Sequence, residues 1–272
     1  MTSAPSRSPA TFRLVLLGGL FLLSVFAPPS SRADAAADAM YKGQDALKKS
    51  SFDLAIANFS EAIRLSPKLT AAYGNRGNVY NIKGDYDKAV ADYTEVIRLD
   101  PNDFLAYSNR GHAYTDKGDY DRAIADLSNA IRLNPTDAWS YNYRGVAYYS
   151  KNNYDKAIAD YTEAIRLNSN EAEAYINVAR LWAVCPDAKL RNGVKAIEYA
   201  KKACELANWK NAYAIDTLAA ACAETGNFDE AVKLENKYLK FPLSKEAAIE
   251  ACQRLSLYEQ KKPYHEEKKN YQ

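Results

Sequence analysis

Arg76, Arg110 and Arg144 stand 34 residues apart, and a ladder of guanidinium groups can bind anions. The same ladder has a structural use, in which each guanidinium lies over neighbouring tyrosines and pairs with an acid of the next helix while its stem is buried. His112 and His265 are the two histidines, the side chains best suited to general-base work near neutral pH. They are far apart in sequence. No nucleophile elbow, phosphate-binding glycine loop, Cys-x-x-Cys pair or His-Glu-x-x-His helix accompanies them, so the residues point away from an enzyme and call for no cofactor or metal. The acids Asp85/Asp87, Asp119/Asp121 and Asp229/Glu230 are of the type that binds calcium, yet each group opens an expected helix, where carboxylates answer the helix dipole. Cys185, Cys204, Cys222 and Cys252 allow three full disulfide pairings.

What must position these groups is a repeat. Tyr73, Tyr107 and Tyr141 recur at the 34-residue interval, as do Gly77, Gly111 and Gly145, and Tyr80, Tyr114 and Tyr148. In the second half of each copy Ala89, Ala123 and Ala157 hold one phase, with Tyr93, Leu127 and Tyr161 four residues on. Counted from Thr70 as one, positions 4, 11, 17, 20, 24 and 27 are apolar or aromatic at helical spacing, so each copy reads as two helices with one buried stripe each. The glycine at position 8 and the alanine at position 20 are small where the two helices cross. Each buried tyrosine ring contributes about 1.5 to 3 kcal/mol. Gly84 and Gly118 suit the left-handed end of a first helix, with Asn152 standing in for glycine in the third copy. Pro67, Pro101 and Pro135 stop the second helices. This pattern resembles the tetratricopeptide repeat. The resemblance implies an all-α fold, a right-handed superhelical solenoid of antiparallel helix pairs that binds protein in a concave groove.

Carried along the chain, the frame gives six units at 36–69, 70–103, 104–137, 138–171, 172–211 and 212–245, the fifth lengthened by a five-residue insertion in the stretch 184–193. Residues 246–260, apolar at Ala248, Ile249, Cys252, Leu255 and Leu257, read as a capping helix. Residues 261–272 carry no buried stripe and read as a frayed polar tail.

Residues 1–33 read as a signal peptide: Arg7 and Arg13, an apolar run over 14–27, Pro28-Pro29, and a Ser31-Arg32-Ala33 cleavage site. A periplasmic or secreted protein follows, with an uncleaved N-terminal membrane anchor as the alternative and the only route to a membrane. Cleavage takes three of 36 basic residues and leaves 33 against 34 acidic ones, so the formal charge moves from +2 to −1. Such a balance gives nucleic acid no reason to bind. A small-molecule substrate is not expected either.

The family resemblance places Asn75, Asn78, Ile82, Asn109, His112, Trp139, Asn142, Tyr143, Tyr149, Ile176, Asn177 and Arg180 along the groove. Asparagines there would hold the backbone of an extended peptide or helix, and Trp139 would anchor a side chain. A family variant that clamps a C-terminal carboxylate needs basic residues where Gly74, Trp139 and Tyr143 stand, so that clamp is not implied. In the repeat geometry Cys185 can pair with Cys222, or with Cys204 if the inserted loop folds back; small buried thiols are the other reading. The function that follows is a non-enzymatic scaffold binding a partner protein in the cell envelope. The alternatives are an oligomerising structural component of an envelope assembly and, more distantly, a non-catalytic subunit of an envelope enzyme complex.

Overall fold

The structure, a computed structural model, describes residues 31–268. Residues 1–30 of the signal segment expected over 1–33, and the last four residues of the tail, lie outside the described residues. Among those described there are thirteen α-helices and no strand. Contacts divide them into two compact units, 31–135 and 136–268.

The first unit holds α1 (Arg32–Lys48), α2 (Phe52–Leu65), α3 (Thr70–Ile82), α4 (Tyr86–Leu99), α5 (Phe104–Lys117) and α6 (Tyr120–Leu133), each packed on its neighbours in sequence. Local chemistry explains the boundaries. Asp103 caps α5 by accepting the Ala106 N–H at 3.0 Å, and Asp119 caps α6 from Arg122 N–H at 3.3 Å. Gly118 ends α5 with φ at +86°, a conformation that costs a side-chain-bearing residue energy. Helices cross where a side chain would not fit: a Cβ on Gly111 would stand 2.6 Å from Leu127 Cγ, and one on Gly77 would stand 2.9 Å from the Tyr93 ring. The rings and branches at those crossings are fully or nearly fully buried. Helix α1 starts at Arg32, capped by the Ser31 hydroxyl, so cleavage after Ala33 would cut its first turn.

The second unit holds α7 (Ala138–Ser150), α8 (Tyr154–Leu167), α9 (Ala172–Val184), a 3₁₀ turn (Ala188–Leu190), α10 (Gly193–Leu206), α11 (Ala212–Glu224), α12 (Phe228–Tyr238) and α13 (Lys245–Glu259). Asn152, at φ +58°, takes the left-handed place after α7. The longer connection between α9 and α10 is pinned by Arg191, which donates to the Cys185 carbonyl at 2.9 Å and to Glu224 at 3.0 Å.

Two features differ from the sequence reading. Helix α13 buries Ala247, Ala251, Arg254 and Tyr258, whereas Ile249 and Cys252 of the expected stripe face solvent. An apolar-stripe reading turns arginine outward, but Arg254 is drawn inward by Asp216 at 2.7 Å and Glu235 at 3.1 Å. The tail is not frayed over Pro263–Glu266, which are half-buried. That segment is not helical, so it has no 3.6-residue stripe to detect.

Candidate functional site

The arginine ladder is structural. Arg76 grips Asp92 with two bonds of 2.9 and 2.7 Å, Arg110 grips Asp126 at 2.6 and 2.8 Å, and Arg144 grips Asp160 at 2.8 Å twice. The third nitrogen of Arg76 and of Arg110 donates at 2.9 Å to Ser60 and Thr94 of the preceding second helix. The guanidinium groups also sit over Tyr73, Tyr107 and Tyr141 at 5.6 to 5.9 Å. Burial pushes the Asp92 carboxyl above its ordinary range while the bond to Arg76 pulls it back. The signal for these acids was present in the sequence: each aspartate follows its arginine by 16 residues in every copy.

Several residues expected along a groove are instead spent inside the protein. In the first unit Asn75, Asn78 and His112 are buried. Asn78 Oδ1 accepts the Tyr93 hydroxyl at 2.7 Å and an Asn109 N–H at 3.4 Å, and His112 Nδ1 stands 3.4 Å from Asn81. An asparagine so engaged has little capacity left for a peptide backbone. In the second unit Trp139, Asn142 and Ile176 are buried. Trp139 is 8% exposed and tilts on Tyr143 with ring centroids 4.4 Å apart, so it is not the open anchor the sequence suggested. Asn142 accepts from Asn177 at 3.0 Å. Asn109, Tyr143, Tyr149, Asn177 and Arg180 are half-buried.

Two of these residues meet at one place. The Tyr149 hydroxyl donates to Glu266 Oε2, and Arg180 donates to Glu266 Oε1 from Nε at 3.1 Å and Nη2 at 3.0 Å. The Glu266 N–H donates to the Val184 carbonyl at 2.8 Å, which leaves α9 one open acceptor fewer at its C-terminal end. Tyr264 packs on the apolar side chains beside it, and His265 Nε2 lies 2.6 Å from Glu224. Behind the site, Arg180 Nη1 donates to Asp216 at 2.9 Å, and Asp216 in turn pairs with Arg254 and through it with Glu235. Burial works against the Arg180 charge, but Glu266 and Asp216 outweigh it and hold its pKa well above the ordinary value. Burial and Glu266 keep Tyr149 protonated as a donor. Sequence reasoning missed Glu266, Asp216, Glu235 and Arg254, because each occurs once and leaves no periodic trace.

The Cys185–Cys222 pairing is not formed. All four cysteines are free, with Cys185 in one apolar cluster and Cys204 and Cys222 in another. Burial pushes the Cys204 and Cys222 thiols up to about 11 and raises Cys185 as well, so they behave as small apolar groups. The acids once considered for calcium are engaged otherwise: Asp87 pairs with Lys117, Asp119 caps α6, and Asp229 and Glu230 open α12. Among the described residues no three His, Cys, Asp or Glu side chains gather to hold a metal, and no helix is long and apolar enough to cross a membrane.

Comparison with known proteins agrees with this architecture. The TPR repeat family model matches residues 77–115 and 111–151, and the Tetratricopeptide repeat model matches 138–171. No curated protein matches the sequence. A crystal structure of MamA protein is 26% identical, with a TM-score of 0.55 over 65% of this chain and 94% of that one. PilF of Pseudomonas aeruginosa is 17% identical with a TM-score of 0.67, covering 80% of this chain and 97% of that one. PilW, a widely conserved type IV pilus biogenesis factor, is also 17% identical with a TM-score of 0.67, over 78% and 96%. The last two likenesses concern the fold alone. Residues 77–171, where helix pairs recur at a 34-residue interval, cross at glycine and are locked by arginine–aspartate pairs, match the tetratricopeptide repeat.

Proposed function

We propose that the protein is a non-enzymatic scaffold of the cell envelope that holds an extended segment of a partner protein against its first-of-pair helices. One observation carries the reading: residues 263–266, outside any helix, already lie against α7 and α9, held by a backbone hydrogen bond to Val184 and by the side chains of Tyr149 and Arg180. A surface that holds one non-helical segment through a carbonyl and polar side chains has the chemistry to hold an extended one. In the first unit, Asn109 offers the corresponding half-buried amide. The envelope part of the reading rests on the apolar run over 14–27 and the Ser31-Arg32-Ala33 site.

A photo-crosslinking amino acid placed at Asn109, Tyr143 or Asn177 of the full chain tests it, with Lys201 on the exposed face of α10 as control. Crosslinks from the envelope fraction to one segment of one partner, absent at Lys201, are expected. Crosslinks only to second copies of this chain would replace the scaffold with the oligomerising envelope component. N-terminal sequencing of the exported protein should begin at or near Asp34; an intact Met1 in the membrane fraction would replace the cleaved signal with an anchor.

A further inference from the structure

The contacts of Glu266 are those of a recognition site. Three donors, the Tyr149 hydroxyl and two nitrogens of Arg180, converge on one carboxylate, and the adjoining main chain adds a hydrogen bond to Val184. The segment that supplies the carboxylate is short, non-helical and joined to α13 through exposed Lys261 and Lys262. Beneath it, Arg180 and Arg254 share Asp216, with Glu235 at the far end. Withdrawing Glu266 would leave Arg180 with half of its anionic partners and would strand the Tyr149 donor. The vacated place therefore calls for another carboxylate, not for an apolar or basic side chain.

We propose that Tyr149, Arg180 and the Val184 carbonyl form a binding site for an extended acidic segment of a partner protein, and that the chain's own Tyr264-His265-Glu266 occupies this site as a displaceable internal competitor. This deepens the scaffold reading and rests on it. The partner segment carries a glutamate or aspartate at the position of Glu266 and a large ring two residues before it, because Tyr264 fills the apolar ground between the two clusters it touches. A tethered tail acts at a high effective concentration, so an outside segment binds only in proportion to the fraction of molecules whose tail is off the surface. If the tail is docked nine-tenths of the time, that fraction weakens outside binding about tenfold.

The test uses a fluorescein-labelled peptide with the sequence of residues 261–268 as probe, on the full chain and two full-chain variants, Glu266→Gln and Tyr264→Ala/Glu266→Gln. Circular dichroism and melting temperature report folding. The probe should bind the double variant at least tenfold more tightly than the unaltered chain, with the single variant between them. A probe carrying glutamine for its own Glu266 should lose at least tenfold on the double variant. Adding Tyr149→Phe to the double variant should weaken the unaltered probe several-fold without lowering the melting temperature. Equal probe affinity for all folded chains, or no binding to the double variant, overturns the proposal and makes the segment a fixed strap. No partner enters this experiment, whereas the crosslinks are read on the unaltered tail. A fixed strap thus fails here with the crosslinks intact, and a wrong scaffold reading fails there.

Discussion

Replacing Arg110 with alanine strips Asp126 of both its hydrogen bonds, at 2.6 and 2.8 Å, strips Thr94 of one at 2.9 Å, and removes the cation over Tyr107. The Asp126 side chain is only 8% exposed, so its charge is left nearly buried and unpaired. Breaking a buried pair in this way costs about 3 to 5 kcal/mol. Water can follow the departed guanidinium, which was 16% exposed, and this places the loss near the lower end, about 3 kcal/mol. In a chain of this size each kcal/mol moves the midpoint by about 2 to 4 °C, so the melting temperature should fall on the order of 10 °C. Calorimetry on four proteins makes the attribution: the unaltered chain, Arg110→Ala, Asp126→Ala and the double variant. The double variant should be clearly more stable than the sum of the single losses requires, because it strands no charge. Arg98→Ala is the control. Arg98 is 64% exposed and pairs with Glu95 on one helix surface, an arrangement worth about 0.5 kcal/mol or less. An Arg110→Ala protein that melts with Arg98→Ala, or single losses that simply add, would show that the ladder is not what ties these helices together.

Gly111→Leu should disrupt the crossing of α5 and α6, since even its Cβ would meet Leu127 at 2.6 Å and the Ala123 carbonyl at 3.3 Å; overpacking costs about 1 to 3 kcal/mol or more, and an unchanged thermal midpoint would refute the assignment. Trp139→Ala should destabilise the second unit by about 3 kcal/mol, the low end for truncating a buried large aromatic, with melting as the assay; a neutral effect would return Trp139 to the role of exposed anchor. The Glu235 carboxyl is pushed up to about 8 by burial and by Asp216, against the pull of Arg254 and Arg180, with Tyr238 and Tyr258 facing the same cluster. The folded state therefore keeps a proton that the unfolded chain gives up near the usual carboxylate pKa, and stability from this group is lost as pH rises from about 4.5 to about 8. Glu235→Gln should flatten the fall in melting temperature over that window, and an identical slope in both proteins would refute the shift.

The 34-residue interval determined the helix pairs without any coordinates, because each copy must solve the same packing problem with the same residues. Gly77 and Gly111 stand where a side chain would strike the ring or branch opposite, Gly118 and Asn152 stand where the backbone turns left-handed, and Arg110 stands where an aspartate faces it from the next helix. Which polar groups face outward was decided only by the tertiary structure. Asn78 and Asn109 look alike in a sequence, yet Asn78 is consumed by a tyrosine hydroxyl and a neighbouring amide while Asn109 keeps its place near the surface. The repeat frame puts Trp139 on the groove face as an anchor, yet the fold buries it against Tyr143. Arg254 and Glu266 escaped a periodic reading for a related reason. Their partners lie far along the chain, Glu266 being 86 residues from Arg180 and 117 from Tyr149, and a charge turns inward only when a particular opposite charge waits there. Periodicity reports what every copy shares, whereas the contacts of Glu266 and Arg254 are made once.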